Sequence, residues 1–180
     1  MNVAKVAYNS KIYGPGIRSV IWFQGCSIRC DRCINPDLIP FIKREELSIN
    51  DLIEKIKNPS VTLLGGEPLD QKDIFEFMLE LKKNNIQIVL FTGYEWNELK
   101  AYQKRIISET CQLVILGPFD KNLVNPCLYL RGSNNQEIRI FDSNISLDDE
   151  VETYEIILGE SIEIRGRVSK DIFDILEENK

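Results

Sequence analysis

Short apolar runs alternate with amphipathic segments along the first two thirds of the chain, and this alternation constrains the fold more than any other feature. The apolar runs predict β-strands and the amphipathic segments predict helices. Because strands that alternate with helices build βαβ units, the pattern predicts an α/β fold with a mostly parallel sheet. The predicted strands are 3–8, 19–23, 61–64, 86–91 and 113–116, and the predicted helices are 49–57, 70–83 and 97–109.

Two helix starts carry capping signals. Ser48 followed three residues later by Asp51 predicts the start of the first helix, and Asp70 is the predicted cap of the second. Beyond Pro118 we expect short strands at 128–130, 137–141, 154–158 and 161–165, a loose acidic stretch at 143–152 and a closing helix at 169–178. We expect a single domain over residues 1–180, with a motif-bearing core at 8–140 and a divergent extension at 141–180.

Composition excludes several classes of function. The chain has 180 residues, a net charge of −6 and no histidine. Its acidity argues against a nucleic-acid partner, and the absence of histidine excludes histidine-based catalytic triads. No apolar run is long enough to span a bilayer, and residues 1–11 lack the apolar core of a signal peptide. We therefore expect no membrane partner and a cytoplasmic location, where cysteines stay reduced.

Three closely spaced cysteines point to a metal centre. Cys26, Cys30 and Cys33 have the spacing C-x3-C-x2-C in a polar loop directly after a predicted strand. Three thiolates on a four-iron cluster would leave one iron open to a ligand. A zinc site completed by Cys111 or Cys127, or three unrelated buried cysteines, are the alternatives, and spacing alone does not decide between iron and zinc. Otherwise we expect Cys111 and Cys127 to be small buried side chains.

The cysteine motif resembles that of radical S-adenosylmethionine (SAM) enzymes, and residues 14–18, 23–26 and 33–36 are similar to the activases of glycyl radical enzymes. The resemblance implies that Cys26, Cys30 and Cys33 hold a [4Fe–4S] cluster and that SAM chelates the open iron. Reductive cleavage of SAM would then give a 5′-deoxyadenosyl radical. Arg32 stands where many family members carry an aromatic residue near the adenine, and its alternatives are to stack there or to be a solvated charge. The neighbouring Ile34 is also an expected SAM contact.

Two strand-end turns resemble the SAM-binding motifs of the same family. Each alone could be an ordinary strand-end turn. Together with the cysteines, the turns are a much more specific signal of this family. Glycines in the first turn would allow close backbone approach to a ligand. The SAM-binding residues that the resemblance implies are Gly65, Gly66, Glu67 and Pro68 in the first turn and Thr92, Gly93 and Tyr94 in the second.

Two later segments resemble anaerobic ribonucleotide reductase activases in particular. Residues 117–119 match a Gly-Pro-Phe motif, although Leu116 stands where those activases often carry Asp. Residues 131–136 match an Arg-Gly-Ser-x-Asn-Gln segment. That match implies a docking site for a partner protein, formed by Arg131, Ser133, Asn135 and Gln136.

These features together predict an incomplete (β/α) barrel of the radical SAM type. The resemblance implies an activase that makes a glycyl radical on a partner enzyme, most specifically an anaerobic ribonucleoside-triphosphate reductase. Reduced flavodoxin or ferredoxin would supply the electron. The alternatives are a radical SAM enzyme that modifies a peptide or small molecule, and a zinc-binding interaction module without catalysis.

Overall fold

The computed structural model describes residues 1–145, 154–158 and 162–166, and shows an α/β arrangement. Within these ranges nine strands and three α-helices follow one another. They are β1 (Asn2–Ser10), β2 (Arg18–Phe23), β3 (Glu45–Glu46), α1 (Ile49–Lys55), β4 (Ser60–Gly65), α2 (Ile74–Lys83), β5 (Gln87–Phe91), α3 (Ala101–Thr110), β6 (Cys111–Leu116), β7 (Glu137–Ile140), β8 (Tyr154–Leu158) and β9 (Ile162–Gly166).

The main sheet has seven strands in the order β3-β1-β2-β4-β5-β6-β7. The pairs β2–β4, β4–β5 and β5–β6 are parallel, while β1, β3 and β7 add antiparallel strands at the sides. Because the four central strands run the same way, the loops that follow β2, β4, β5 and β6 meet at one edge of the sheet. Ligand sites in such sheets form at this carboxyl edge.

The three helices pack on one face of the sheet and form the main core. Leu52 of α1, Phe77 of α2 and Ile107 of α3 are fully buried against side chains such as Phe23 and Leu63. Truncating a buried phenylalanine to alanine typically costs about 3–5 kcal/mol, so Phe77 alone supports a large part of this packing. The opposite face is built of smaller apolar clusters from strands and loops.

The structure confirms the predicted strands of the first two thirds and the start of α1. Ser48 and Asp51 form a reciprocal capping box: the Asp51 backbone N–H donates to Ser48 Oγ at 3.2 Å, and the Ser48 N–H donates to Asp51 Oδ2 at 2.9 Å. The first helix ends at Lys55, two residues before the predicted end.

The predicted start of the second helix is wrong. Asp70 does not cap α2 but ends a short 3-10 turn, Pro68–Asp70, because its carboxylate is used by the loop after β2. The helix begins at Ile74, after Asp73 in a left-handed conformation with φ of 66°. The third predicted helix is divided into a 3-10 turn, Trp96–Glu98, and α3.

The predicted strand at 128–130 is also wrong. This stretch forms turns and bends, and Leu130 has a φ of 57°, which lies outside the β region of backbone conformation. The strands predicted at 137–141, 154–158 and 161–165 are present as β7, β8 and β9. The closing helix predicted at 169–178 and most of the loose stretch predicted at 143–152 lie outside the described residues.

The β8–β9 hairpin contacts the connection between β1 and β2. The Lys11 backbone N–H donates to Glu155 Oε2 at 3.2 Å, and the Gly166 N–H donates to the Tyr13 hydroxyl at 3.1 Å. The hairpin therefore packs beside the segment that leads into β2. Within the described ranges, none of the helices has the length and apolar character needed to cross a bilayer.

Candidate functional site

The cysteine loop begins at the carboxyl edge of β2 and is closed at its base by Gln24. The Gln24 side-chain amide donates to the carbonyls of Asp37 and Pro40, at 3.0 and 2.7 Å. The backbone N–H groups of Gly25 and Cys26 donate to Leu38 and Ile39. These bonds hold residues 26–40 as a closed loop whose two ends lie together.

Two residues in left-handed conformation turn the chain within this loop. Arg29 and Arg32, with φ of 52° and 55°, stand immediately before Cys30 and Cys33. Each turns the chain sharply, so that three cysteines separated by only a few residues stay on one short loop. Cys26 is buried, and Cys30 and Cys33 are half-buried.

Backbone N–H groups favour the thiolate form of these cysteines. The Asn35 N–H donates to Cys33 Sγ at 3.4 Å. The backbone N–H of Phe119 favours the charged form of the Cys30 thiol, and those of Arg29 and Ile28 favour the charged form of the Cys26 thiol. Burial nevertheless raises the pKa of both Cys26 and Cys30.

The donor set fits an iron–sulfur cluster. Across the described ranges, no three Cys, Asp or Glu side chains form a ready-made site for a metal ion. The fit rests on the sulfur chemistry instead, since N–H bonds to cysteine sulfurs favour thiolates and tune the potential of a bound cluster. Three free thiols with such donors, on one loop at the carboxyl edge of the sheet, are what this group requires.

The Gly-Gly-Glu-Pro turn after β4 is fastened directly to the cysteine loop. The Gly66 N–H donates to Phe23 O and the Glu67 N–H donates to Gly25 O, both at 2.8 Å. A Cβ atom at Gly66 would lie 2.2 Å from Gly25 O, so only glycine fits this close approach. The ends of β2 and β4 therefore form one unit.

Glu67 extends this unit to the turn after β5. Its side chain is 1% exposed, and its carboxylate accepts from Leu69 N at 2.9 Å, Thr92 Oγ1 at 2.8 Å and Gly93 N at 2.8 Å. Burial raises the pKa of Glu67 to about 7 in spite of these donors. The Glu67 side chain thus joins two of the turns that the sequence predicted to bind SAM.

A second carboxylate joins the same turns to the cysteine loop. Asp70 Oδ2 accepts from the Ser27 N–H at 2.7 Å, and Asp70 Oδ1 accepts from Ser27 Oγ and from the Tyr94 hydroxyl, each at 3.0 Å. The two hydroxyl oxygens are also 3.0 Å apart. Sequence reasoning missed Ser27 and Asp70, and the only available signal was their adjacency to the two motifs.

The loop after β6 approaches the cysteines from the other side. Gly117 N–H donates to Tyr94 O at 3.0 Å, and Lys121 forms an ion pair with Asp31 of the cysteine loop. The Phe119 N–H favours the charged form of the Cys30 thiol. All four loops at the carboxyl edge are thus connected by hydrogen bonds.

The 131–136 segment shapes this loop through its own side chains. Gln136 Nε2 donates to Gly117 O at 3.0 Å, while Gln136 Oε1 accepts from Gly132 N at 2.7 Å. Asn135 Nδ2 donates to Pro118 O at 2.7 Å. Ser133 is fully buried and its hydroxyl accepts from Asp120 N. These amides hold backbone of this chain, whereas the resemblance implied that they form a docking site for a partner.

The remaining predicted residues are divided between surface and core. Arg32 and Ile34 are on the exposed part of the cysteine loop, with Ile34 69% exposed. Cys111 is buried at the first residue of β6, at the edge of the sheet opposite the cysteine loop, and burial raises its pKa to about 12. Cys127 is exposed, so the prediction that it would be buried is wrong.

Comparison with known proteins agrees with this geometry. A family described as a 4Fe-4S single cluster domain matches residues 12–139. The anaerobic ribonucleoside-triphosphate reductase-activating protein of Escherichia coli strain K12 is 30% identical over 140 residues, which cover 71% of this chain and 90% of that protein. The protein of the same name from Haemophilus influenzae is 30% identical over 154 residues, covering 78% and 99%.

An activating enzyme of another name matches over a shorter stretch of the chain. The pyruvate formate-lyase-activating enzyme of Clostridium pasteurianum is 34% identical over 102 residues, which cover 51% of this chain and 43% of that enzyme. The matches confirm the resemblance that the cysteine and Gly-Gly-Glu-Pro motifs predicted. The chain belongs to the radical SAM activases of glycyl radical enzymes, in the group of the anaerobic ribonucleoside-triphosphate reductase-activating proteins.

Proposed function

We propose that this chain makes a glycyl radical on a partner enzyme, an anaerobic ribonucleoside-triphosphate reductase, using a [4Fe–4S] cluster held by Cys26, Cys30 and Cys33. One observation carries the proposal: the cysteine loop is fastened by backbone hydrogen bonds to the Gly-Gly-Glu-Pro turn. This connection places a three-thiol loop beside a turn whose glycines allow close approach of a ligand.

When bound, the cluster would supply the electron for reductive cleavage of SAM to methionine and a 5′-deoxyadenosyl radical, which would take a hydrogen atom from a glycine Cα of the partner. The chain would hold and orient these groups. Cys26 is buried at the base of the loop, while the half-buried Cys30 and Cys33 leave the outer side accessible. Reduced flavodoxin or ferredoxin would deliver the electron in a cytoplasmic setting.

The SAM site in this proposal is the surface shared by the turns after β4 and β5, with Arg32 and Ile34 facing the adenine from the cysteine loop. Because the Glu67 carboxylate is committed to Leu69, Thr92 and Gly93, SAM would contact the backbone of these turns. In that case Glu67 acts by holding the turns in place. The residues proposed to form the surface are Gly65, Gly66, Glu67, Pro68, Thr92, Gly93 and Tyr94.

We also propose that the sheet is an incomplete barrel whose open side admits a loop of the partner. Four parallel strands with helices on one face support this architecture. Partner docking would involve the surface shaped by residues 131–136, and Arg131 is its cationic side chain. Ser133, Asn135 and Gln136 would act by shaping the backbone that the partner meets.

An Arg131→Ala variant tests the docking surface. We expect more partner to be needed for half-maximal radical formation, with unchanged SAM cleavage in the absence of the partner. Arg105→Ala, which removes an exposed arginine of α3, is the matched control. Equal partner dependence of the two variants would remove Arg131 from the proposal.

The whole function is tested by anaerobic reconstitution followed by iron and sulfide analysis. Addition of SAM, reductant and the reductase should then give a glycyl radical signal in electron paramagnetic resonance. A colourless protein with one zinc would overturn the proposal. SAM cleavage without a protein radical would instead favour a peptide or small molecule as substrate.

A further inference from the structure

We propose that Asp70 is a positioning residue that fixes the first cluster ligand and lowers the reduction potential of the cluster. This inference rests on the proposed function, because it concerns a cluster held by Cys26, Cys30 and Cys33. Asp70 lies three residues beyond Glu67, at the end of the 3-10 turn that follows β4.

The geometry around Asp70 is specific to the site. Its partners are Ser27, which directly follows Cys26, and Tyr94, which ends the turn after β5. Both carboxylate oxygens are used, and both partners come from other loops. Asp70 is 43 residues from Ser27 and 24 from Tyr94 along the chain, so the contacts have no part in local helix or turn formation.

The bond from the Ser27 N–H is the shortest of the group, at 2.7 Å. It immobilises the peptide bond between Cys26 and Ser27, and with it the direction from which the Cys26 thiol leaves the backbone. Hydrogen bonds to an ionised acceptor are stronger than those between neutral groups. Partners of this kind orient metal ligands, and their loss typically reduces metal affinity.

The charge of Asp70 acts on the same ligand. Its carboxylate accepts from the backbone N–H of Ser27, the residue that follows Cys26, so its charge lies beside this ligand. Adding an electron to the cluster also adds negative charge. A nearby carboxylate therefore disfavours the reduced cluster and lowers its potential, which is set in part by local charge and hydrogen bonds.

Asp70→Asn separates the charge from the geometry. The amide oxygen can accept from the Ser27 N–H, and the amide nitrogen can donate to the hydroxyl oxygens of Ser27 and Tyr94. The contacts persist while the charge is lost. We expect unchanged iron content and, at a fixed applied potential, about a tenfold higher ratio of reduced to oxidised cluster, or about 59 mV for a one-electron couple.

Asp70→Ala removes both the charge and the contacts. We expect the same rise in potential together with loss of iron to a chelator roughly tenfold faster than from the wild type. Asp73→Asn is the matched control. Asp73 is an exposed carboxylate three residues further on, its side chain caps nothing, and asparagine also adopts its left-handed conformation.

The measurements are a redox titration followed by electron paramagnetic resonance, and the rate of iron loss, each on anaerobically reconstituted full-length protein. Equal potentials of Asp70→Asn, Asp73→Asn and the wild type would overturn the charge effect. Equal iron loss from Asp70→Ala and the wild type would overturn the positioning effect. If the wild type itself assembles no cluster, the proposed function fails, which is a separate outcome from either of these.

Discussion

The two edges of the parallel sheet each bury a charged side chain, but they satisfy it in different ways. At the carboxyl edge, Glu67 accepts hydrogen bonds from the turns after β4 and β5. At the opposite edge, the fully buried Arg18 of β2 donates to Thr62 Oγ1 at 3.3 Å, to Gln112 Oε1 at 3.2 Å and to Pro15 O.

The partners explain the difference in role. Those of Arg18 are uncharged groups, two of which belong to strands β4 and β6, so the guanidinium connects three strands. Burial lowers the pKa of Arg18 to about 10, and its Nε has no hydrogen-bond partner among the described residues. Glu67 connects loops that meet the proposed ligand. We infer that the carboxyl edge uses its buried charge to shape a site, and the amino edge uses its charge to hold the sheet.

The strongest test of the carboxyl edge, where the proposed site lies, is Cys30→Ala. We expect radical formation to fall to background, because two remaining thiolates cannot hold a four-iron cluster with one open position. Radical yield and iron content are the measurements. Cys127→Ser, which changes an exposed cysteine, is the control and should keep both at wild-type levels. Normal iron content in Cys30→Ala would contradict the proposed ligand set.

The strongest test of the opposite edge is Arg18→Met. Removing the donors leaves buried acceptors at Thr62 and Gln112 unpaired, so we expect the free energy of unfolding to fall by about 2–4 kcal/mol. The midpoint of urea unfolding measures this loss. Arg105→Met, in an exposed helix position, should leave the midpoint unchanged. Similar midpoints for the two variants would show that Arg18 is not a support of the sheet.

Glu67, at the carboxyl edge, makes the free energy of unfolding depend on pH. Its pKa is raised to about 7 in the folded state from an ordinary value of 4.5, so the folded chain binds more protons between these pH values. The contribution of Glu67 to the free energy of unfolding therefore decreases as the pH rises, by up to about 1.4 kcal/mol per unit, and levels off above pH 7.

The comparison of wild type with Glu67→Gln isolates this effect, since glutamine does not titrate. Urea unfolding under anaerobic conditions between pH 5.5 and 8 should show a steeper decline for the wild type. The difference in slope is informative even if the glutamine, whose single side-chain oxygen cannot replace both carboxylate oxygens, lowers stability at every pH. Parallel curves would mean that Glu67 is ionised throughout this range.

The smallest effect is expected from the Lys121–Asp31 ion pair, which joins the loop after β6 to the cysteine loop. Both side chains are substantially exposed, and exposed ion pairs contribute little to stability. Lys121→Ala should keep the melting temperature of the wild type and change the rate of SAM cleavage by less than about twofold. A large loss of rate would show that the ion pair holds the cysteine loop in its active arrangement.

Local sequence signals were sufficient to predict most helices and strands of the fold. Ser48 and Asp51 predicted the start of α1 because both partners of a capping box lie within one turn. The strands of the parallel sheet were predicted because each is a continuous apolar run. The prediction at 128–130 was wrong because three apolar or aromatic residues in a row do not reveal the positive φ of Leu130.

Contacts between distant residues could not be predicted. The sequence around Asp70 is compatible with a helix cap, and only the folded chain brings Ser27 to its carboxylate. A charged residue at the start of a strand, such as Arg18, is expected to be exposed, but Arg18 is fully buried. The segment 131–136 was identified from the sequence as a motif. Its contacts could not be predicted, because Gln136 and Asn135 donate to the carbonyls of Gly117 and Pro118 only in the folded chain.

The fastening of the cysteine loop also sets an order of events during synthesis. Ser27 meets Asp70 only after 43 further residues have been made and Tyr94 after 67, and Asp31 meets Lys121 after 90. On a ribosome the thiols therefore emerge long before the parts that hold their loop. We expect iron delivery to succeed only late in translation or afterwards, so that a nascent chain stalled before residue 121 carries exposed, reactive cysteines.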